Sequence, residues 1–154
     1  MALIMLHREA AGMRIEQATI TDFEAILGVD QLVTGDDRRS NYLHKAISAG
    51  YCWTALTGET TTGLAVVEPW FFDQWFLSLV VVRPEHRRKG VAKALILHVE
   101  SICSTPKLFS STNTSNAAMR RVLETCGFVR SGRIENLDPG DPEIIYFKLV
   151  QHPD

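Results

Sequence analysis

The chain has 154 residues, a formal net charge of -2 and 45% hydrophobic residues, and this composition suits a single globular domain with one core. The slightly acidic total charge argues against a general nucleic-acid surface, because a domain of that kind is expected to be basic. The three cysteines lack CxxC spacing and the five histidines form no HExxH pair, so we predict neither a disulfide framework nor a metal site.

The N-terminal residues 1–12 contain only a short apolar run, which His7, Arg8 and Glu9 interrupt. The run is too short for a signal-peptide core or a membrane span, so the sequence predicts a cytoplasmic protein with no membrane contact. We expect these residues to form a frayed extension before one domain over residues 13–150, with residues 151–154 as a C-terminal tail.

The first part of this domain predicts a short edge strand from Met13 and then two helices. The segment TDFE over residues 21–24 has the pattern of a capping box, in which a threonine and a glutamate satisfy free amides at a helix start. That helix is expected to reach about Val33. The second is expected near Arg38 to Ala49 and to end at Gly50, since glycine favours the left-handed conformation that terminates helices.

Three apolar segments then predict strands, at Tyr51 to Leu56, Gly63 to Phe72 and Trp75 to Val82. A turn at Asp73 and Gln74 is expected to join the last two as an antiparallel hairpin. Pro69 predicts a bulge or an edge position, because proline cannot donate to a strand ladder. About half of the aromatic residues here are expected in the core and the rest in the wall of a binding pocket. These residues are Trp70, Phe71, Phe72, Trp75 and Phe76.

The stretch from Trp75 to Cys103 combines an apolar strand, a basic turn closed by Gly90, and an amphipathic helix expected from near Arg88. The first amides of a helix lack partners within the helix, and the helix dipole favours negative charge there. Glycine at position 90 lets a ligand approach those amides closely. The turn therefore predicts a polyphosphate site, surrounded by the cations Arg83, His86, Arg87, Arg88, Lys89 and Lys93.

A solvated basic loop is the alternative interpretation of this turn, because most charge runs are no more than that. The Walker pattern GxxxxGK[ST] and the pattern GxGxxG are both missing from the sequence. The common nucleotide-binding folds are therefore not supported, and another architecture has to hold the phosphates.

The C-terminal part predicts a strand from Lys107 to Ser111 and a helix that opens between Asn113 and Ala117. A hairpin of two further strands, Phe128 to Ile134 and Ile144 to Val150, is expected to close the sheet. The loop of this hairpin, ENLDPGDPE, is acidic, which fits either a solvated turn or attraction of a cationic amine.

Two motifs of the chain resemble those of the GCN5-related N-acetyltransferases (GNAT family). In VVVRPEHRRKGVAKALI, the residues Arg87, Gly90 and Ala92 fill the family pattern Arg/Gln-x-x-Gly-x-Gly/Ala. Downstream, NAAMRRVLETCGF resembles the second family signature, an asparagine that opens a helix ending in Gly-Phe. The motifs occur in the right order, and the resemblance covers roughly Met13 to Leu149.

The resemblance implies an α/β (α+β) fold, a mixed and mostly antiparallel twisted sheet of about 6–7 strands flanked by about four helices. It implies acetyl-CoA as co-substrate, with the pantetheine arm between two strands that splay apart, the pyrophosphate on the amides of Arg88 to Ala92, and Asn116 near the middle of the cofactor. The implied cofactor-binding residues are Val80, Val81, Val82, Arg87, Arg88, Lys89, Gly90, Val91, Ala92, Lys93 and Asn116.

The chain departs from the family at two catalytic positions. Leu123 stands where many members have a tyrosine as general acid, and Phe76 stands where histone-type members have a basic glutamate, which disfavours a histone-type substrate. We expect Glu68 to act as a base through a water molecule and Ser78 to position that water. Cys126 or Tyr146 is a substitute for the missing acid, although both are expected in the core.

The sequence therefore predicts an N-acetyltransferase that moves an acetyl group from acetyl-CoA to a primary amine of a small molecule or peptide. Two alternatives stay open: an acyl-CoA-binding sensor, which the missing tyrosine favours, and a protein that binds a nucleic-acid backbone through the basic turn. The acceptor and the oligomeric state are not specified by the sequence, and a homodimer is one option.

Overall fold

The alternating and helical apolar patterns of the sequence correspond to seven strands and four helices in the computed structural model, which describes residues 12–150. In chain order they are β1 Met13–Gln17, α1 Phe23–Thr34, α2 Ser40–Ser48, β2 Cys52–Thr57, β3 Thr60–Phe71, β4 Gln74–Val82, α3 Val91–Ile102, β5 Lys107–Asn113, α4 Ala117–Thr125, β6 Val129–Ile134 and β7 Glu143–Leu149.

The strands form one sheet in the order β1-β2-β3-β4-β5-β7-β6. The pairs β1–β2, β2–β3, β5–β7 and β6–β7 are antiparallel, and β4–β5 is parallel. This arrangement confirms the predicted fold class. None of the helices over residues 12–150 is long and apolar enough to cross a membrane. The predicted N-terminal extension, apart from Gly12, and the predicted tail lie outside the described residues.

The chain divides into two compact units, one running to Val66 and including Leu79–His98, the other comprising Val67–Ser78 and the residues from Val99 onwards. Strands β3 and β4 contribute residues to both units. The prediction of a single domain over residues 13–150 stays a prediction.

The core of the first unit is formed by the apolar faces of α1 and α2 against the sheet. Ile26 and Val29 from α1 and Leu43 from α2 are fully buried in one cluster with Leu64 and other strand residues. This burial follows from the three- and four-residue spacing of apolar side chains in both helices. The two helices are thus held on the sheet by one hydrophobic cluster.

A buried ion pair also links α1 to the start of α2. The Asp30 side chain is fully buried, and Arg39 Nη1 donates to its Oδ1 at 3.0 Å. Burial raises the pKa of Asp30, while the guanidinium of Arg39 acts in the opposite direction. Because a buried carboxylate without a partner is costly, this pair keeps the connection between the helices in place.

Gly63 of β3 lies directly under side chains of α3. A Cβ atom at this position would lie 2.9 Å from the backbone oxygen of Val81, 2.9 Å from Val91 Cγ1 and 3.3 Å from Leu95 Cδ1. The neighbouring Thr62 is skipped in the β2–β3 register, and its hydroxyl donates to Ala55 O at 3.2 Å. The bulge and the glycine together allow the first turn of α3 to pack directly on the backbone.

The second unit is built on β5, β7 and β6, with α4 packed on one side. Leu108, Leu123 and Tyr146 are fully buried, and the Tyr146 hydroxyl donates to Glu124 Oε1 at 3.2 Å. Lys148 Nζ donates to Cys126 O at 2.7 Å and pairs with Glu100 at 2.8 Å. These contacts fix the C-terminal end of α4 and the last turn of α3 to β7.

Several predicted boundaries are corrected by the structure. The capping interaction joins Thr19 to Asp22, whose Oδ2 accepts from the Thr19 amide at 2.7 Å, rather than lying within residues 21–24. Thr19 caps a 3-10 turn, Ile20–Asp22, and α1 follows this turn from Phe23. The β3–β4 turn is formed by Phe72 and Asp73, both with positive φ (50° and 63°), one residue before the predicted position.

Pro69 fits the edge position of its two predicted alternatives, whereas the prediction for the aromatic residues is corrected. The bulge lies at Thr62, and the β2–β3 register ends at Cys52 and Val66, so Pro69 falls beyond the part of β3 that pairs with β2. None of the five aromatic residues from Trp70 to Phe76 is fully buried. Phe72 is 86% exposed and Trp70 63% exposed, while the other three are partly exposed.

Gly63→Ala is expected to destabilise the protein, because the added methyl group meets backbone and two packed side chains that cannot all move away. The expected loss is about 1–3 kcal/mol in the free energy of unfolding, measured by chemical denaturation. The matched control is Gly28→Ala in α1, where a Cβ atom meets nothing within 4 Å. Equal stability of the two variants would contradict close packing at Gly63.

Candidate active site

The phosphate-binding residues predicted from the sequence lie together in the first unit, in the connection between β4 and α3. After β4, a 3-10 turn, Pro84–His86, is followed by Arg87 in an extended conformation. Arg88 and Gly90 then both have positive φ, 61° and 80°. Neither conformation is helical, so α3 begins at Val91, three residues later than predicted.

Gly90 leaves open space at the start of α3. A Cβ atom placed there would meet no heavy atom within 4 Å. The glycine is therefore required by its positive φ and not by crowding within the protein. An incoming ligand has free access to the backbone at this point.

The amides of the first turn of α3 face this open space without helical partners. The first hydrogen bond into the helix runs from Ala94 N–H to Gly90 O at 2.9 Å. The N–H groups of Val91, Ala92 and Lys93 precede it, and such groups, with the helix dipole, favour an anion. A helix of twelve residues, Val91–Ile102, supports this dipole.

Four cations of the turn make no ion pair or hydrogen bond through their side chains to any residue within 12–150. They are exposed, and no carboxylate lies within salt-bridge distance. These residues are Arg87, Arg88, Lys89 and Lys93.

The other two predicted cations, Arg83 and His86, are part of the internal structure of the turn. Arg83 N donates to Thr62 O at 2.8 Å, its Nε donates to Thr61 O at 3.1 Å, and its guanidinium pairs with Glu85 at 3.5 Å. His86 Nδ1 is buried without a hydrogen-bond partner. The turn is thus anchored to β3 by Arg83, and positive charge without a partner remains on the four exposed residues.

Strand β4, which precedes the turn, continues beyond the part that pairs with β5. The β4–β5 register covers Trp75–Leu77 and ends where Leu77 meets Ser110, although β4 continues to Val82 and β5 to Asn113. Val81 is buried in the core of the first unit, whereas Val80 and Val82 are partly exposed.

Asn116, the start of the second predicted motif, lies in the second unit and caps α4. Its Oδ1 accepts from Met119 N at 3.1 Å. Asparagine is a favoured residue at this position for that reason, so the cap alone explains the residue. The side-chain amide nitrogen is left to donate to another group.

The acidic loop between β6 and β7 is tied to the turn that precedes Asn116. Asn113 Nδ2 donates to Asp138 Oδ2 at 2.7 Å, and the Ser115 hydroxyl and amide both donate to Asp141. Glu135 pairs with Arg133 at 2.6 Å. The loop is therefore a structural support as well as an acidic segment, which the sequence did not indicate.

The predicted catalytic residues Glu68 and Ser78 lie in the second unit, on β3 and β4. Both are partly exposed. Since successive side chains of a strand point to opposite faces, Ser78 lies on the face of Phe76, two residues away in β4, and Glu68 on the face opposite Phe71, three residues away in β3. Because the rings of Phe71 and Phe76 lie on one face, with centroids 4.7 Å apart, Ser78 and Glu68 lie on opposite faces of the sheet, so the prediction that both act on one water molecule is wrong.

The position of the missing acid is closed to solvent. Leu123 is fully buried, and Tyr146, named above as a substitute, is fully buried with its hydroxyl bonded to Glu124. Cys126 is also buried. None of the three is exposed to accept or deliver a proton to a bound ligand.

The cysteine chemistry of the chain is equally limited. Burial, with a smaller contribution from Asp22, raises the pKa of Cys52 to about 12, so this thiol stays protonated at neutral pH. All three cysteines are free and buried, and residues 12–150 contain no group of three or more potential metal ligands.

Two features of the site were missed from the sequence. Gly63 was expected only to begin a strand, since a single sequence does not show which backbone will approach it. The hydrogen bond from Ser111 Oγ to Glu143 Oε1 at 2.7 Å joins residues 32 positions apart. Ser111 ends the predicted strand Lys107 to Ser111, Glu143 ends the acidic loop, and no local pattern links the two.

Comparisons with known proteins place this geometry in context. The family model described as Acetyltransferase (GNAT) family matches residues 17–128. A GNAT acetyltransferase from Bacillus cereus ATCC 10987 is 40% identical, with a TM-score of 0.88 over 91% of this chain and 99% of that one. None of the curated proteins compared with the chain matches it.

More distant solved structures share the fold. The ribosomal-protein-S18-alanine N-acetyltransferase of Escherichia coli is 18% identical, with a TM-score of 0.79 over 92% of this chain and 96% of that one. The acetyltransferase yncA of Salmonella typhimurium, solved with its cofactor acetyl-CoA, is 17% identical, with a TM-score of 0.72 over 92% and 96%. At these identities the likeness concerns the fold alone.

Arg88→Gly is expected to raise the free energy of unfolding by up to about 1 kcal/mol, because it relieves a positive φ that a side chain disfavours. The control is Arg87→Gly, which removes the same charge from a residue with φ of -68°. There the added chain entropy lowers stability by about 0.5–1 kcal/mol. Chemical denaturation of both variants checks the difference, and a loss of stability in Arg88→Gly would contradict strain at this position.

Proposed function

The chain belongs to the GNAT acetyltransferase family, and we propose that it transfers an acetyl group from acetyl-CoA to a primary amine of a small molecule or a peptide. The observation that carries the proposal is the turn before α3, where four cations without partners surround free helix amides beside the open space at Gly90. This turn has the chemistry that a polyphosphate requires.

The residues of the turn fit the pyrophosphate of coenzyme A. The amides of Gly90 to Lys93 supply hydrogen-bond donors, and the missing side chain at Gly90 leaves room for phosphate oxygens. We assign the exposed cations to the phosphates as charge partners. These are Arg87, Arg88, Lys89 and Lys93.

For the pantetheine arm we assign the backbone of Val80, Val81 and Val82. Support comes from β4, which continues to Val82 although its register with β5 ends at Leu77. Strand groups that lack a ladder partner are suited to bind an extended chain by backbone hydrogen bonds. Asn116 is assigned to the cofactor through its side-chain nitrogen, since its oxygen caps α4.

The reaction is direct attack of the amine on the thioester. The ammonium form of the acceptor first loses a proton, and the neutral nitrogen then forms a bond to the acetyl carbon. The bond from that carbon to sulfur breaks, and coenzyme A leaves as a thiolate that takes up a proton, while the amide nitrogen releases another. A backbone amide of β4 donating to the oxyanion lowers the barrier of this step.

A buried leucine at the family's general-acid position is compatible with this chemistry. A thiol has a pKa near 8.5, so its thiolate leaves with less protonic help than an alkoxide needs. The cost of a missing general acid is on the order of 100-fold in rate. We assign the base to Glu68, acting through a water molecule. Ser78 lies on the other face of the sheet and is not assigned to that water. The protonated thiol of Cys52 does not suit a covalent intermediate.

An acyl-CoA-binding module without catalysis is the second candidate. The buried Leu123 and the enclosed Tyr146 hydroxyl favour it, because neither residue can donate a proton to the leaving group. The two candidates agree on cofactor binding and differ in whether an amine is consumed.

Free coenzyme A thiol is expected to appear when the protein, acetyl-CoA and a suitable amine are combined, and a thiol reagent measures its release. The panel contains amino acids, polyamines, aminoglycosides, alkylamines and peptides, beside a calorimetric titration of acetyl-CoA. In the variant Gly90→Asn both binding and release are expected to fall, because the new side chain occupies the ligand space while asparagine tolerates positive φ. Tight binding without release on every amine would support the sensor, and no binding would contradict both candidates.

Glu68→Gln is expected to lower kcat by about 10–100-fold at neutral pH while the affinity for acetyl-CoA stays the same, because the amide cannot accept the proton. The matched control is Glu59→Gln, an exposed carboxylate in the β2–β3 turn. Steady-state kinetics with the best amine of the panel give the comparison. An unchanged kcat in Glu68→Gln would remove this residue from the reaction.

A further inference from the structure

One face of the sheet in the second unit carries a continuous row of aromatic side chains. Phe76 pairs with Phe109 in the β4–β5 register, and Phe109 pairs with Phe147 in the β5–β7 register. The ring centroids of Phe109 and Phe147 are 6.0 Å apart. Phe71 joins the row at 4.7 Å from Phe76 and 5.2 Å from Phe109. Four rings from four strands therefore form one apolar surface.

This surface is open, whereas the opposite face is covered. On β5 and β7, Leu108, Ser110, Ile144 and Tyr146 are buried on the side of α4. The alternate residues Phe109 and Phe147 are only partly buried. Exposed apolar residues extend the row at its edges. These are Phe72 at 86%, Leu149 at 61% and Val129 at 54% exposure.

A single carboxylate without a cation lies on this same face. Glu143 precedes Ile145 and Phe147 by two and four residues on β7, so all three point to one side of the strand. Ser111, on the same face of β5, donates to Glu143 Oε1 at 2.7 Å and fixes its orientation. Within residues 12–150 no lysine, arginine or histidine pairs with Glu143.

The other carboxylates near Glu143 already have partners. Asp138 accepts from Asn113, Asp141 accepts from Ser115, and Glu135 pairs with Arg133. Glu143 also accepts from a neutral donor, Ser111, but it is the carboxylate on the face of the phenylalanines, and its Oε2 is left to bind a cation from outside.

We propose that this face binds the acceptor, and that the acceptor is a primary amine carried on an aromatic or aliphatic group. The ammonium group binds Glu143. The apolar group extends along β7 over Ile145, about 7 Å from Glu143, towards the row of phenylalanines, whose member on β7 is Phe147, about 13 Å from Glu143. The proposal rests on the proposed acetyl transfer and adds the chemical class of its acceptor. Glu143 is a binding residue for the ammonium, distinct from the base.

The charge of Glu143 favours an amine ligand on this face over the apolar surface of a second protein. A second protein seated on the rings without a cation would bury the Glu143 carboxylate unpaired, which is costly. Strand addition at the neighbouring edge is also opposed, since β6 carries Arg130 and Arg133 and has a register shift between Arg130 and Gly132. A small amine with an apolar body satisfies both the rings and the carboxylate.

The test uses alkylamines of equal charge in the thiol-release assay, together with calorimetric titration of acetyl-CoA on the same protein. The ratio kcat/KM is expected to rise about twofold for each methylene added from ethylamine through butylamine to hexylamine. A factor of about two corresponds to half the free energy of fully burying one methylene. The probe 6-aminohexan-1-ol keeps the length of hexylamine but ends in a hydroxyl, and it is expected to lose most of this gain.

Glu143→Gln is expected to raise KM for hexylamine about tenfold, because a charged hydrogen bond becomes a neutral one, with acetyl-CoA affinity unchanged. The control Glu135→Gln removes a charge from a carboxylate already paired with Arg133 and is expected to leave KM unchanged. Phe147→Ser is expected to flatten the dependence on chain length, with thermal melting to confirm that the variant is folded.

Several results would overturn the proposal. These are a flat or falling dependence on alkyl length, equal KM values for the two glutamine variants, and turnover of other amines of the panel but of none of these alkylamines. Sedimentation showing that Phe147→Ser converts a dimer to a monomer without changing amine kinetics would assign the face to a second copy instead. Failure to bind acetyl-CoA would be a failure of the proposed function itself, and the titration separates the two.

Discussion

The close packing of α3 on Gly63 is the constraint on which the candidate cofactor site depends. Because glycine has no Cβ, the backbone oxygen of Val81 and the side chains of Val91 and Leu95 all meet at this point of β3. The same approach positions the first turn of α3 and therefore the free amides at its start. Arg83 completes the arrangement by bonding Thr61 and Thr62, beside the bulge. The geometry of the candidate anion site is thus a consequence of how one helix docks on one strand.

The sequence predicted most of the fold, including the position of the basic turn between β4 and α3. Periodicity identified all four helices and the seven strands, because burial of one face leaves a regular apolar pattern. Boundaries were less accurate where backbone conformation decided them. Positive φ at Arg88 delays α3 to Val91, and the capping residue Thr19 begins a 3-10 turn that precedes α1.

The parts that the sequence did not predict depend on contacts between distant residues. The role of Gly63 requires knowing that Val91 will lie on it, and the Ser111–Glu143 bond joins two different strands. Likewise, the acidic loop looked like a solvated turn, yet Asp138 and Asp141 hold the turn that leads into Asn116. A local pattern contains none of this information, because each contact is made only when the sheet has formed.

The chain has two features of the family motifs and lacks the tyrosine that many members use as general acid. The cation-rich turn and the asparagine cap of α4 are both present, whereas the acid position is a buried leucine. An enzyme of this kind relies on binding and orientation of the two substrates and on the good leaving ability of a thiolate. In the second unit, the open aromatic face and Glu143 are suited to the orientation of an acceptor.

The most direct measurement of the central claim is the response of individual backbone amides to coenzyme A in a 15N-labelled sample. If the start of α3 holds the pyrophosphate, the largest chemical-shift changes will occur at the amides of Gly90 to Lys93, with smaller changes along Val80 to Val82. Binding that leaves those amides unchanged and shifts signals elsewhere would contradict the account, and would show that the cations of the turn are only a solvated surface.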